Sequence, residues 1–163
     1  IMPSLVGSEM CIRDRYLPDL KYYSSNISQK YSNAPNYFKI ATKAIEEMYN
    51  QVGSPKFNTE GIITKGLIVR HLVLPGHIED SKKILKYLYD TYKNNIYISI
   101  MNQYTPVRTT PYPNLCRPLT KKEYNEVIDY AYNLGIRNAF VQDGETSKES
   151  FIPIFTDSKQ NKF

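Results

Sequence analysis

The chain has 163 residues, 41% of them hydrophobic and 23% charged, and its 21 Lys and Arg against 16 Asp and Glu give a formal charge of +5. This is the composition of a folded protein, and the length suggests one domain or a piece of a larger one. It holds no apolar run near the ~18 residues of a membrane helix, and a surplus this small does not mark a nucleic-acid-binding face. Two cysteines, Cys11 and Cys116, are too few for a disulfide framework, a four-ligand zinc site or a cysteine-held iron–sulfur cluster, and the chain reads as cytoplasmic.

Residues 1–15 differ in composition from the rest of the chain, which is rich in Tyr, Asn, Lys and Ile. The string from Leu5 to Arg15 resembles translated sequencing-adapter read-through, so 1–15 are expected to be an artefact outside the native fold, and Cys11 no ligand; an ordinary frayed terminus is the alternative. The apolar start lacks the basic lead and longer core of a signal peptide. Residues 16–22, Tyr-Leu-Pro-Asp-Leu-Lys-Tyr, read as the end of a strand. Asn33, Ala34 and Pro35 open a predicted helix whose inner face is Tyr37, Ala41, Ala44, Ile45 and Met48 and which Gly53 ends.

The stretch 54–64 is a polar connection. The aliphatic run 67–74, stopped by Pro75 and Gly76, predicts a strand buried on both faces of a parallel sheet. Asp80 is the expected cap of a helix through Tyr92 with Ile84, Leu85 and Leu88 inside. A strand over 97–101 comes next, ending at Asn102 and Gln103. Prolines 106, 111, 113 and 118 make 105–118 an extended loop. Thr120-Lys121-Lys122-Glu123 is a capping box, with Leu119 and Tyr124 placed as a hydrophobic staple. The helix it opens carries Val127, Ile128, Ala131 and Leu134 inward and stops at Gly135. A last strand, 138–142, is closed by Asp143 and Gly144. The tail 146–163 is polar with a few aromatics.

Strand and helix alternate, which predicts an α/β fold of parallel strands with right-handed crossovers and a ligand site at the carboxyl ends of the strands. Polar residues gather near those ends: Asp19, Lys21, Asn102, Gln103, Gln142 and Asp143. Strand alternation puts Asp19 and Lys21 on one face, and Arg70 on one face of the next strand with Ile68, Leu72 and Leu74. If the two faces meet in an interior, the three charges form a cluster, either a functional one or an ion network that only positions strands. His71 falls on the opposite face as a core residue. His77 has no second His beside it to complete a metal set. Asn102 and Gln103 either bind a planar polar group or cap the loop. The fifteen tyrosines lack interleaved basic patches, so no nucleic-acid surface is expected. No P-loop, dinucleotide-binding turn or nucleophile elbow is present.

The segments 16–22, 69–76 (Val-Arg-His-Leu-Val-Leu-Pro-Gly) and 99–106 (Ser-Ile-Met-Asn-Gln-Tyr-Thr-Pro) resemble the radical S-adenosylmethionine (SAM) family, in its branch related to pyruvate formate-lyase activating enzyme. Arg117 with Thr120 to Tyr124, Phe140 to Gln142, and Glu149 to Pro153 are similar to the same branch, and the likeness runs over 16–156. It implies a partial (β/α)6 barrel of parallel strands with outer helices, of which 16–145 would be the C-terminal half. It implies a 4Fe–4S cluster held by three close cysteines, SAM bound to the open iron, and reductive cleavage to a 5′-deoxyadenosyl radical. In activating enzymes that radical takes a hydrogen atom from a glycine of a partner enzyme. By the likeness, Asp19 and Lys21 lie near the methionine part of SAM and the peptide substrate, Arg70 is the arginine of the strand ending in Pro-Gly, and Asn102 and Gln103 stand about where an activating enzyme places a histidine over the SAM ribose or adenine, a departure from the activators' pattern. The three-cysteine loop and the glycine-rich SAM motif belong before Tyr16 and are not in the chain. The expectation is therefore an inactive fragment with no cofactor bound. Its longer parent would use SAM, a 4Fe–4S cluster, an electron donor and a glycyl radical enzyme as protein substrate. The alternative is a non-enzymatic α/β module that pairs with another chain, or with itself, through an open strand edge.

Overall fold

The computed structural model describes residues 14–106 and 111–142. The expectations for Cys11 and the rest of 1–13, for Asp143 and Gly144, for Glu149 to Pro153 and for the tail 146–163 lie outside the described residues. In chain order the elements are β1 (Arg15–Tyr16), α1 (Ser25–Ser32), α2 (Tyr37–Val52), β2 (Lys56–Phe57), β3 (Ile63–Leu72), α3 (Ile78–Tyr92), β4 (Tyr97–Met101), a 3-10 turn (Pro113–Cys116), α4 (Lys121–Leu134) and β5 (Ala139–Val141). The sheet runs β1-β3-β4-β5 with every neighbouring pair parallel, and β2 pairs antiparallel with β3 outside that path. The fold is α/β with a mostly parallel sheet, as the alternating pattern predicts. The first strand includes Arg15, one residue inside the stretch set apart by composition, and the Asp14 carbonyl accepts from the Gly66 N–H at 2.8 Å.

One face of the sheet carries the core. Leu67, Val69, His71 and Val73 of the β3 segment, Ile98 and Ile100 of β4, and Ala139 and Val141 of β5 are buried. Apart from His71, they belong to one cluster with Ile45 of α2, Ile84, Leu85 and Leu88 of α3, and Val127 and Ala131 of α4. Each helix contributes an apolar stripe at 3-4 spacing, which is why these segments fold as helices against the sheet. The expectation that 67–74 is buried on both faces is corrected. Ile68 and Leu72 are half-buried and Arg70 is exposed, whereas Leu67, Val69 and His71 on the alternate face are buried.

Local chemistry sets several boundaries. The capping box forms: the Thr120 hydroxyl accepts from the Glu123 N–H at 3.2 Å and Glu123 accepts from the Thr120 N–H at 3.1 Å. Gly135, at φ 102°, closes the same helix. Asn33 does not open α2. It ends α1 in a left-handed conformation, its N–H returning to the Gln29 carbonyl, and α2 starts at Tyr37. Ala44 falls on the exposed side of α2, and Thr42 is buried in its place, its hydroxyl donating to the Phe38 carbonyl. Asp80 does not cap its own helix, whose cap position is His77. Its carboxylate, in a residue 8% exposed, accepts from the N–H groups of Tyr23 and Ser24 at 2.8 and 2.9 Å, at the amino end of α1. A negative charge there offsets the partial positive charge of the helix start.

Candidate functional site

The strands β1, β3, β4 and β5 run parallel, so their carboxyl ends share one edge of the sheet, and Asp19, Lys21, Asn102, Gln103 and Gln142 follow those ends in the chain. Beyond β1 the chain stays beside β3 through backbone bonds: Arg70 donates to the Pro18 carbonyl at 2.8 Å and Leu20 donates to the Arg70 carbonyl at 2.9 Å. That bridge sets Asp19 directly beside Arg70. The Tyr37 hydroxyl fixes the segment further, donating to the Asp19 carbonyl at 3.0 Å and accepting from the Lys21 N–H at 2.9 Å. Burial is the main cause that raises the Tyr37 hydroxyl above its ordinary pKa.

The Asp19, Lys21 and Arg70 side chains meet. Arg70 Nη2 lies 2.7 Å from Asp19 Oδ1, and Lys21 Nζ lies 3.6 Å from Asp19 Oδ2. The Arg70 contact is an ion pair by distance without the alignment of a hydrogen bond. The cluster is not sealed from water: the side chains of Asp19, Lys21 and Arg70 are 32%, 46% and 44% exposed. They lie away from the main core, so the expectation of charges held away from water is corrected to a half-exposed triad.

Asn102 and Gln103 are not part of that triad's contacts. The Asn102 backbone N–H donates to Gln142 Oε1 at 3.0 Å, and its Nδ2 donates to the Gln142 carbonyl at 3.3 Å. Asn102 therefore fastens the end of β4 to the end of β5. Gln103 is exposed beside it.

His71 is buried on the helix side, 1% exposed. Its Nδ1–H donates to the Leu20 carbonyl at 2.8 Å. A carbonyl can only accept, so Nδ1 carries the proton and Nε2 is a buried acceptor without a hydrogen-bond partner among the described residues. Burial holds the ring's pKa below its ordinary value. His77 sits at the start of α3 with Nε2 2.7 Å from the Tyr31 hydroxyl, and burial lowers its pKa as well.

Sequence reasoning missed two devices that frame the site. Tyr124, at a staple position by its spacing, is buried, and its hydroxyl donates to the Ile100 carbonyl at 2.6 Å while accepting from the Gln142 N–H at 2.9 Å. It clamps the ends of β4 and β5 from the α4 side. Glu123 does more than close a capping box. It takes two 2.7 Å bonds from Arg117 and one of 2.9 Å from the Gly76 N–H, tying the turn after β3 to the start of α4. Bonding to the Arg117 guanidinium, against the opposing effect of burial, holds its carboxyl well below the usual carboxylate range. The capping-box spacing pointed to Glu123, but nothing local pointed to Gly76.

The chain is similar to a protein of Methanocaldococcus jannaschii, uncharacterized protein MJ0674. The two are 29% identical over 127 residues, covering 76% of this chain and 33% of that protein. The chain thus spans about a third of the length of the curated relative it matches. No family model matches the chain. No solved structure matches it. Among the described residues no helix is long and apolar enough to cross a membrane, and no group of three or more His, Cys, Asp or Glu is placed to hold a metal ion.

Proposed function

We propose that this chain is part of a cytoplasmic radical SAM enzyme, contributing a rear wall of its (β/α)6 barrel. The observation that carries the reading is the Asp19–Lys21–Arg70 triad, assembled at the carboxyl half of a parallel sheet and left on the face that a closed barrel would turn inward. The motif likeness gives those charges their role: they would face the charged methionine end of SAM, with Asn102 and Gln103 at the rim of the same end. The 4Fe–4S cluster of such enzymes supplies the electron that cleaves SAM. The described residues do not fit that cluster, since three thiolates are needed and Cys116, in the 3-10 turn, is the single cysteine among them. The chain by itself is accordingly expected to be inactive. Within the parent its residues would bind and orient the cofactor and exclude water. The protein substrate would be a glycyl radical enzyme, and the electron would come from a separate donor.

The test is anaerobic reconstitution with iron and sulfide, followed by SAM and a reductant. The chain alone is expected to give no 5′-deoxyadenosine, and the longer archaeal relative is expected to give it. Product from the chain alone would overturn its assigned inactivity, and none from the relative would remove the radical SAM reading.

A second reading is a non-enzymatic module completed by another chain. It is favoured by the edge at 17–21, which meets β3 through the single Asp19–Arg70 bridge after the two-residue β1. Sedimentation that shows a stable, soluble monomer counts against it.

A further inference from the structure

The start of α3 holds α1 at both ends. Asp80 accepts from the N–H groups of Tyr23 and Ser24 at its beginning, and His77 meets the Tyr31 hydroxyl near its finish. Tyr31 and His77 are 46 residues apart in sequence, yet their rings pack edge-on with centroids 5.3 Å apart and planes at 71°. Tyr31 also packs edge-on against Tyr112, centroids 4.9 Å apart, and borders the small apolar cluster of Tyr22, Leu74 and Leu115. Tyr31 and His77 are both half-buried. The 2.7 Å contact is therefore held by ring packing as well as by the bond itself.

A phenol is a stronger acid than a neutral imidazole, and the imidazole is the stronger base. Tyr31 thus donates and His77 Nε2 accepts, which puts the proton of the neutral ring on Nδ1. The hydroxyls of Tyr37, Tyr104, Tyr112 and Tyr124 donate instead to backbone carbonyls. A carbonyl holds such a bond but takes no proton at neutral pH, whereas an imidazole, with an ordinary pKa of about 6.5, does. The difference matters when an electron leaves the ring, because an oxidised phenol is a strong acid and its proton goes fastest to a base already in place. Burial keeps His77 in its base form at pH 7; the Asp80 carboxylate favours the charge that arrives with the proton, and the Lys30 ammonium opposes it.

We propose that Tyr31 is a redox-active tyrosine, oxidised by one electron with His77 as its proton acceptor. An outer-sphere one-electron oxidant takes an electron from the Tyr31 ring, the Tyr31 O–H bond breaks, and an N–H bond forms at His77 Nε2. The products are a neutral phenoxyl radical, an imidazolium still bonded to its oxygen, and the oxidant reduced by one electron. A one-electron reductant returns the electron, and the proton moves back. The step uses neither SAM nor iron, so it can fail or succeed independently of the radical SAM reading.

The test is flash oxidation of the full chain by photogenerated tris(2,2′-bipyridine)ruthenium(III), with chloropentaamminecobalt(III) as electron sink and the phenoxyl absorbance followed in time. A fast phase of radical formation is expected at pH 7. Tyr31→Phe abolishes it. His77→Gln slows it about a hundredfold, the scale of a positioned base. In His77→Ala, free imidazole restores part of the rate, which a merely structural role does not allow. The fast phase keeps its amplitude from about pH 8 to pH 6.5 and falls below that, as His77 takes up a proton. Native near-UV dichroism, strong in a chain with fifteen tyrosines, reports whether each variant is folded. Where a variant is not, the pH profile of the unsubstituted chain decides. A fast phase that is absent at pH 7, or that does not fall in acid, overturns the proposal. So does one that survives Tyr31→Phe or keeps its rate in a folded His77→Gln.

Discussion

Glu123→Ala tests whether the turn after β3 and the start of α4 are held by one carboxylate. The substitution removes half of the capping box, both Arg117 bonds and the acceptor of the Gly76 N–H. Loss of a helix cap costs about 1 kcal/mol. The Arg117 pair adds about 0.5–1 kcal/mol, discounted because the guanidinium side is 42% exposed. The Gly76 bond adds about 0.5–1 kcal/mol, since its exposed N–H can turn to water. The sum is about 2–3 kcal/mol, which for a chain of this length lowers Tm by about 5–10 °C. Thermal and urea melts at pH 7 measure it. The pH dependence gives an independent reading. Glu123 has a folded-state pKa depressed below the unfolded value, so its contribution is fully present above the ordinary carboxylate value of 4.5 and is lost as pH falls toward the folded value. The gap between parent and variant is therefore constant from about pH 8 to pH 6 and narrows below about pH 4.5. A variant that melts within about 1 °C of the parent at pH 7 would refute the latch.

Three further outcomes are expected. Tyr124→Phe strips a buried hydroxyl from the Ile100 carbonyl and the Gln142 N–H, costing about 1–3 kcal/mol; hydrogen exchange at the Gln142 amide accelerates, whereas unchanged protection there would show that the clamp is idle. His71 has a depressed folded pKa, so the unfolded chain takes up a proton that the folded one resists, and stability falls as pH drops below about 6.5. Urea midpoints at pH 7.5, 6.5 and 5.5 record the fall, and His71→Gln flattens most of it, His77 accounting for the rest. Asp19→Asn costs less than about 1 kcal/mol, and less still in high salt, because the triad is half-exposed; a loss of about 3 kcal/mol or more would mean that the cluster is desolvated after all.

The features legible in the sequence are those that local rules determine. The stripes of α3 and α4, the Thr120–Glu123 box, the Gly135 stop and the β4 strand come from periodicity and capping within a few residues. Other features are held by contacts distant in sequence. The segment Ser25–Ser32 is polar and has no strong apolar stripe, yet it is helical with the carboxylate of Asp80 at its start. The β2–β3 hairpin occupies a stretch whose composition reads as a polar connection. Its turn is organised by Asn58, whose side chain accepts from the Glu60 and Ile62 N–H groups, a local signal that was there to be found. The meeting of Asp19, Lys21 and Arg70 is a result of strand alternation. Their exposure is not, because alternation tells which side chains share a face and not whether another layer lies over it.

The strand order β1-β3-β4-β5 has a consequence for growth of the molecule. Every parallel neighbour comes after its partner along the chain, with the short β2 as the exception outside the path. Further strand–helix units can be appended at either flank without rethreading what is already folded, so the sheet can be lengthened in the way a row of tiles is extended. In such an architecture the curvature of the finished sheet, and not any single connection, decides when the two flanks come close enough to join.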